Sequence, residues 1–109
     1  MIVYGLSTCD STKAAMKALD KAGKQPVLRD IRAEPLTAAE IDKIIQEFGD
    51  LAVNKQSTTY RSFNAFLRES EAEAQIAAQP TVMKRPVIQD GNAWSIGWTP
   101  EIEARLTKG

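Results

Sequence analysis

Apolar residues cluster in short runs at both ends of the chain and recur at helical spacing between them. Ile2-Val3-Tyr4-Gly5-Leu6 is short, apolar and β-prone, so it reads as a strand. The polar stretch Ser7-Thr8-Cys9-Asp10 follows. A helix is predicted from about Thr12 to Ala22, because Ala15, Met16, Leu19 and Ala22 fall on one face. Asp10 or Ser11 can cap it, and Gly23 suits the position just past its end. Pro26 to Ile31 reads as a second strand, which one short helix would place parallel to the first.

A helical stretch comes next. Thr37 and Glu40 have the spacing of a capping box, and Ile41, Ile44, Ile45 and Phe48 mark an apolar face that ends at Gly49. Asp50 to Thr58 reads as a polar connection. A further helix is predicted around Tyr60 to Leu67, with Tyr60, Phe63, Phe66 and Leu67 inward. Ser70 with Glu73 opens another, which Pro80 stops. Arg85 to Gln89 and Ala93 to Gly97 read as antiparallel strands around the turn Asp90-Gly91-Asn92. Thr99-Pro100 starts a last helix that Ile102 and Leu106 would dock. The order is β-α-β, a helical insert, then β-β-α. It predicts one α/β domain over residues 1–109 with a mixed four-stranded sheet and a helical insert at about 36–79.

Composition narrows the chemistry. The chain has 109 residues, 43% of them hydrophobic, which supports a real core in one domain. Lys+Arg and Asp+Glu both number 14, so no positive field favours nucleic acid or an anionic membrane surface. No apolar run approaches the ~20 residues of a membrane span. Met1 to Leu6 lacks the basic, longer apolar pattern of a secretory signal, so the cytoplasm is expected. There is no histidine, which excludes Cys-His and Ser-His nucleophile pairs and His-rich metal sites. With a single cysteine, no intrachain disulfide can form.

That cysteine, Cys9, lies between a strand end and a helix start. Unpartnered amides and partial positive charge at a helix start stabilise a thiolate. Thr8, Ser11 and Thr12 supply polar groups nearby, Lys13 adds positive charge, and Asp10 opposes. Free cysteines are often inert core residues, but a polar loop is a poor place for one. Lys84-Arg85-Pro86 is the second feature: either a solvated pair before a strand, or a cis-proline loop whose arginine binds an anion. Asn54-Lys55-Gln56-Ser57 before a helix start suits either an oxyanion or solvent. Trp94 and Trp98 read as packing residues.

Val3-Tyr4-Gly5 followed by Thr8-Cys9-Asp10 resembles the active-site opening of the arsenate reductase (ArsC)/Spx family. Leu51-Ala52-Val53-Asn54-Lys55, Ser57-Thr58-Thr59-Tyr60-Arg61, Pro80 to Ile88 and Ile96-Gly97-Trp98 resemble its later signatures, in the same order. The resemblance implies a thioredoxin-like fold, a catalytic Cys9 and an active-site Arg85 before a cis Pro86. It implies substrate-binding roles for Thr8, Ser11, Thr12, Asn54, Lys55 and Pro86, with no bound cofactor or metal. Two positions depart from the arginine triad of the glutaredoxin-linked arsenate reductases: Asn54 stands where the first arginine aligns, and the Gly97-Trp98 region lacks the last. Thr12 stands where Spx regulators carry a second cysteine. The implied function is a thiol-based reductase acting on a small oxidised substrate or a protein disulfide. An external thiol such as glutathione, with glutaredoxin as a further partner, would resolve the Cys9 adduct. The alternatives are an Spx-like regulator binding RNA polymerase and an arsenate reductase with a reduced anion site.

Overall fold

In the computed structural model, which describes residues 1–108, the elements follow the predicted alternation. They are β1 (Ile2–Gly5), α1 (Asp10–Lys21), β2 (Val27–Asp30), α2 (Ala38–Phe48), α3 (Thr58–Arg61), α4 (Ala65–Arg68), α5 (Ala72–Ala78), β3 (Val87–Asp90), β4 (Ala93–Ile96) and α6 (Pro100–Thr107). The chain forms two compact units. One joins Met1–Asp30 to the chain from Arg85 onward; the other spans Ile31–Lys84.

The first unit holds the whole sheet, in the order β2-β1-β3-β4. β1 runs parallel to β2 and antiparallel to β3, and β3 and β4 form a hairpin. This is the mixed four-stranded, thioredoxin-like arrangement expected from the β-α-β and β-β-α halves. Register places Val3 opposite Leu28 on one side and Ile88 on the other, with Ser95 opposite Ile88. These residues share one pleat face. Val3, Ala15, Leu19 and Ile88 form a buried cluster, with Met16, Trp98 and Leu106 packed against it. The face therefore lies under α1 and α6, and Leu106 docks α6 as expected. Tyr4 and Trp94 belong to the alternate strand positions and stack at 6.2 Å between ring centroids. Gly91 opens the hairpin turn at φ 61, a conformation glycine adopts without a Cβ penalty.

α1 begins two residues earlier than predicted, and its cap is Cys9 itself rather than Asp10 or Ser11. Cys9 is extended, at φ −84 and ψ 125, and its carbonyl accepts from the Lys13 N–H at 2.9 Å. That pairing defines an N-cap. At the other end Ala22 is exposed, not inward, because it is the C-cap; Gly23 follows at positive φ as expected.

In the second unit, the capping box of α2 is present. The Thr37 hydroxyl accepts from Glu40 N–H at 3.1 Å, and the Glu40 carboxylate accepts from Thr37 N–H at 2.8 Å. The predicted Tyr60–Leu67 helix is instead two short ones. Ser57 caps α3, and the Asn64 carboxamide oxygen accepts from Leu67 N–H at 2.8 Å to start α4. The break changes the helical phase: Phe63 is buried, whereas Phe66, expected inward, is 83% exposed. Nor does Ser70 cap α5. Its hydroxyl donates to the Phe66 carbonyl, and Glu71 holds the cap position. Buried Gln75 ties the end of α4 to α5 by donating to the Leu67 and Arg68 carbonyls at 3.0 and 3.1 Å. Among the described residues no helix is long and apolar enough to cross a membrane.

Truncating Leu19 to alanine removes a fully buried side chain from the cluster under the sheet. Urea denaturation is expected to show a loss of about 2–5 kcal/mol for Leu19→Ala. The same measurement on Phe66→Ala is expected to stay within about 0.5 kcal/mol. A Leu19→Ala loss no larger than the Phe66→Ala loss would contradict the packing described.

Candidate active site

Backbone geometry at the end of β1 places the sulfur. The Cys9 N–H donates to the Leu6 carbonyl at 3.0 Å, which closes Leu6–Cys9 into a tight loop. Ser7 N–H donates to the Asp30 carboxylate at 3.1 Å, so the same loop is also held to the end of β2. The helix then starts at Asp10, which sets Ser11 and Thr12 at its second and third positions. Those are the amides that an N-cap side chain ordinarily accepts from. At this helix the side chain in that place ends in the Cys9 sulfur, and a thiol is only a weak acceptor. Ionised sulfur is the group those amides favour.

The Cys9 thiol is held below its ordinary pKa by a contest that burial loses. Partial burial is the largest single influence and pushes the value up. The Thr12 N–H, the Thr12 hydroxyl, the Arg85 guanidinium and the Ser11 N–H, in that order, oppose it and together prevail. Cys9 is half-buried, so the sulfur is neither sealed in the core nor fully hydrated. Arg85 enters from the start of the returning chain, ahead of a cis peptide bond to buried Pro86. Thr8 and Ser11 are exposed beside the sulfur-bearing loop, as is Asp10. Thus Thr8, Cys9, Ser11, Thr12, Arg85 and Pro86 all belong to the first unit, where Ser11, Thr12 and Arg85 act on the Cys9 sulfur.

Asn54 and Lys55 belong to the second unit. There Val53 pairs with Met83 in an isolated antiparallel bridge, with Asn54 N–H donating to Val82 O and Lys84 N–H to Ala52 O, both at 2.8 Å. The Asn54 side-chain oxygen accepts from Gln56 N–H at 3.0 Å, and its carbonyl accepts from the Ser57 hydroxyl at 2.7 Å. Its carboxamide oxygen therefore shapes the loop. Lys55 and Lys84 line an open cavity of about 610 Å³ together with Phe48, Leu51 and Asn54. Asp50 lines the same cavity, so acidic and basic side chains meet there beside an apolar wall.

Two features went unread in the sequence. Lys84 follows Met83, and its place on the same cavity as Lys55 depends on the bridge between the distant residues Val53 and Met83, which the local sequence does not announce. The sequence places Gly5 in a strand and names no partner for it. A Cβ built on it would overlap the Thr12 hydroxyl oxygen and lie 2.7 Å from the Thr12 methyl. An isolated glycine inside a strand pattern signals close approach of another chain segment, and that signal was available.

Comparison with known proteins adds the evolutionary frame. The ArsC family profile matches residues 4–104. An uncharacterised protein of Haemophilus influenzae is 37% identical over 97 residues, spanning 84% of this chain and 85% of that one. The global transcriptional regulator Spx 2 of Oceanobacillus iheyensis is 28% identical over 102 residues, spanning 88% of this chain and 75% of its own. Among solved structures, the YFFB (PA3664) protein superposes with a TM-score of 0.88 at 27% identity, with 97% of each chain covered.

A depressed thiol pKa makes stability depend on pH with a defined sign. The folded state binds the Cys9 proton less tightly than the unfolded chain does. Ionised Cys9 therefore adds stability as pH rises from the folded pKa toward the unfolded value of about 8.5. The contribution is complete above that value and vanishes as pH falls through the folded pKa. In paired urea titrations, the stability of the wild type relative to Cys9→Ala is expected to grow across that window. A difference that stays flat, or declines, as pH rises to about 9 would refute the assignment.

Proposed function

The chain belongs to the ArsC family, and we propose that within it the protein is a thiol-based reductase in which Cys9 is the nucleophile and an external thiol completes the cycle. The observation that carries this reading is the sulfur at the head of α1, favoured as an anion by the Ser11 and Thr12 amides, the Thr12 hydroxyl and the Arg85 guanidinium. Thiolate, not thiol, attacks disulfides.

The steps balance as two exchanges. Cys9 thiolate attacks one sulfur of a disulfide RS–SR′, forming Cys9–S–SR and releasing R′S⁻, which takes a proton from water. A second thiolate, supplied by glutathione, attacks the R sulfur and releases Cys9 thiolate with RS–SG. When R is itself glutathionyl, the released product is oxidised glutathione, and R′SH is the reduced substrate. Glutaredoxin can serve in place of free glutathione as the resolving partner. Resolution has to come from outside, since the chain contains one cysteine. Arg85 stabilises the sulfur anion before attack and again when it leaves, and Thr12 and the helix amides orient it. Such chemistry fits a reducing compartment, for which the cytoplasm is the proposed location.

The test is turnover of a glutathionylated peptide with glutathione as reductant, coupled to intact-protein mass spectrometry. A glutathione adduct on Cys9 is expected with substrate alone, and glutathione should remove it. Cys9→Ser should abolish both adduct and turnover. Arg85→Ala should lower kcat/KM by about tenfold, the scale of one hydrogen bond to a charged group. Turnover that survives Cys9→Ser, or absence of the adduct, would sink this reading. Substituting arsenate for the disulfide in the same coupled assay tests the arsenate alternative.

A second reading, a protein-binding regulator engaging RNA polymerase, is favoured by the likeness to the Spx 2 regulator and by Phe66 standing 83% exposed on α4. A stoichiometric polymerase complex that persists in Cys9→Ser and is lost in Phe66→Ser would support it over catalysis.

A further inference from the structure

Gly5 lies at the end of β1, and Thr12 lies in the first turn of α1 with only 1% of its surface exposed. The Thr12 hydroxyl oxygen accepts from the Leu6 N–H at 3.4 Å, a long bond that nonetheless draws this side chain to the backbone next to Gly5. The clearance is narrow. A Cβ on Gly5 would overlap Thr12 Oγ1, sit 2.7 Å from Cγ2 and 3.1 Å from Cβ. Rotating the threonine side chain gives no escape. Its two heavy γ substituents occupy two of three staggered positions, and both positions face Gly5. Any other rotamer still leaves one heavy atom in a forbidden place. The backbone would have to give way, at the helix start or at the end of β1, and either changes how the first turn of α1 sits on the strand.

We propose that Gly5 is a positioning residue for the reactive sulfur: its bare Cα admits Thr12 against β1 and thereby seats the first turn of α1, with Cys9 at its head. The inference rests on Cys9 being the reactive group. Thr12 stabilises ionised sulfur through both its amide and its hydroxyl, so displacing it withdraws two donors at once. The hydroxyl can serve sulfur as donor while Leu6 N–H occupies an acceptor site on its oxygen. Gly5 touches neither substrate nor sulfur in this scheme and acts wholly through Thr12. Its φ is unremarkable for a strand, so the requirement is for space rather than for unusual backbone conformation.

The test is the pH profile of Cys9 alkylation by iodoacetamide, measured beside urea stability on the full chain. Gly5→Ala is expected to shift the profile to higher pH and to slow alkylation at pH 7 by about threefold to tenfold. Thr12→Ala should shift it in the same direction. The double variant G5A/T12A removes the clashing γ atoms, so it should recover stability toward that of T12A while keeping the shifted profile. A purely structural Gly5 would lower stability in G5A and leave the alkylation profile unmoved, which would overturn the proposal. So would a double variant whose profile returns to wild type. Should G5A fail to fold, T12A against T12S carries the test: serine keeps the hydroxyl and should keep the profile, and an unshifted profile in T12A overturns the proposal. Alkylation needs no disulfide substrate, so these outcomes stand apart from success or failure of the reductase assay.

Discussion

Everything chemical in this protein depends on how closely α1 is brought up to the end of β1. Sulfur that loses part of its hydration is driven toward the neutral thiol, and burial is indeed the largest single influence on Cys9. Donors overcome it only because they are fixed before ionisation: two amides at a helix start, one hydroxyl and one guanidinium. The amides are fixed by the helix, and the helix start is fixed by the Leu6–Cys9 turn and by Thr12 lodged beside Gly5. A small displacement there would leave the desolvation cost in place and weaken what offsets it. The packed cluster of Val3, Ala15, Leu19 and Ile88 beneath the sheet resists such a displacement, so stability and reactivity share one structural origin.

Much of this was legible in the sequence because local signals and global pattern agree. Short β-prone apolar runs, the Thr37–Glu40 box, Gly23 and the Thr99-Pro100 start all fall where the elements lie or end. The site was legible for a different reason: a cysteine in a polar strand-to-helix loop has few structural uses, and the family signatures pair it with Arg85. Legibility failed where a residue does something its type seldom does. Cysteine is an uncommon cap, so Asp10 and Ser11 took its place in the reading. Asn64 caps a new helix in the middle of an apparently continuous apolar stripe, and that interruption turned Phe66 outward. Gly5 is a case of missing partner identity: the sequence signals a close approach but cannot say that Thr12 is what approaches.

The absence of histidine and of a second cysteine gives the site a narrow repertoire. In the proposed mechanism the absence of imidazole means that Cys9 has to be ionised before substrate arrives rather than deprotonated during attack. In that scheme, with one cysteine in the chain, an adduct on Cys9 would wait for a thiol in solution or on another protein. Thr12, three residues on, offers that adduct a hydroxyl and no exchangeable sulfur. Thr12 is also the residue that contributes most donors to the ionised sulfur. A cysteine at position 12 would trade that donor for an internal escape route.

Charge arithmetic at the sulfur separates the two reductive chemistries that the family name brings together. Arg85 is the cation that acts on Cys9, and the remaining donors there are neutral. One guanidinium with three neutral donors matches the single negative charge of a thiolate, and of the thiolate that departs in disulfide exchange. A tetrahedral oxyanion brings further charge and several acceptor oxygens. Each hydrogen bond to a charged group is worth about 1.5–3 kcal/mol. Against a site with three arginines, binding such an anion here would lose two of those charged forks, or about two to four powers of ten in affinity if each contributes a single bond. Disulfide exchange incurs no such loss, because its negative charge stays on sulfur and passes from one sulfur to the next. On this arithmetic the donor set around Cys9 supports the proposed disulfide exchange over reduction of arsenate.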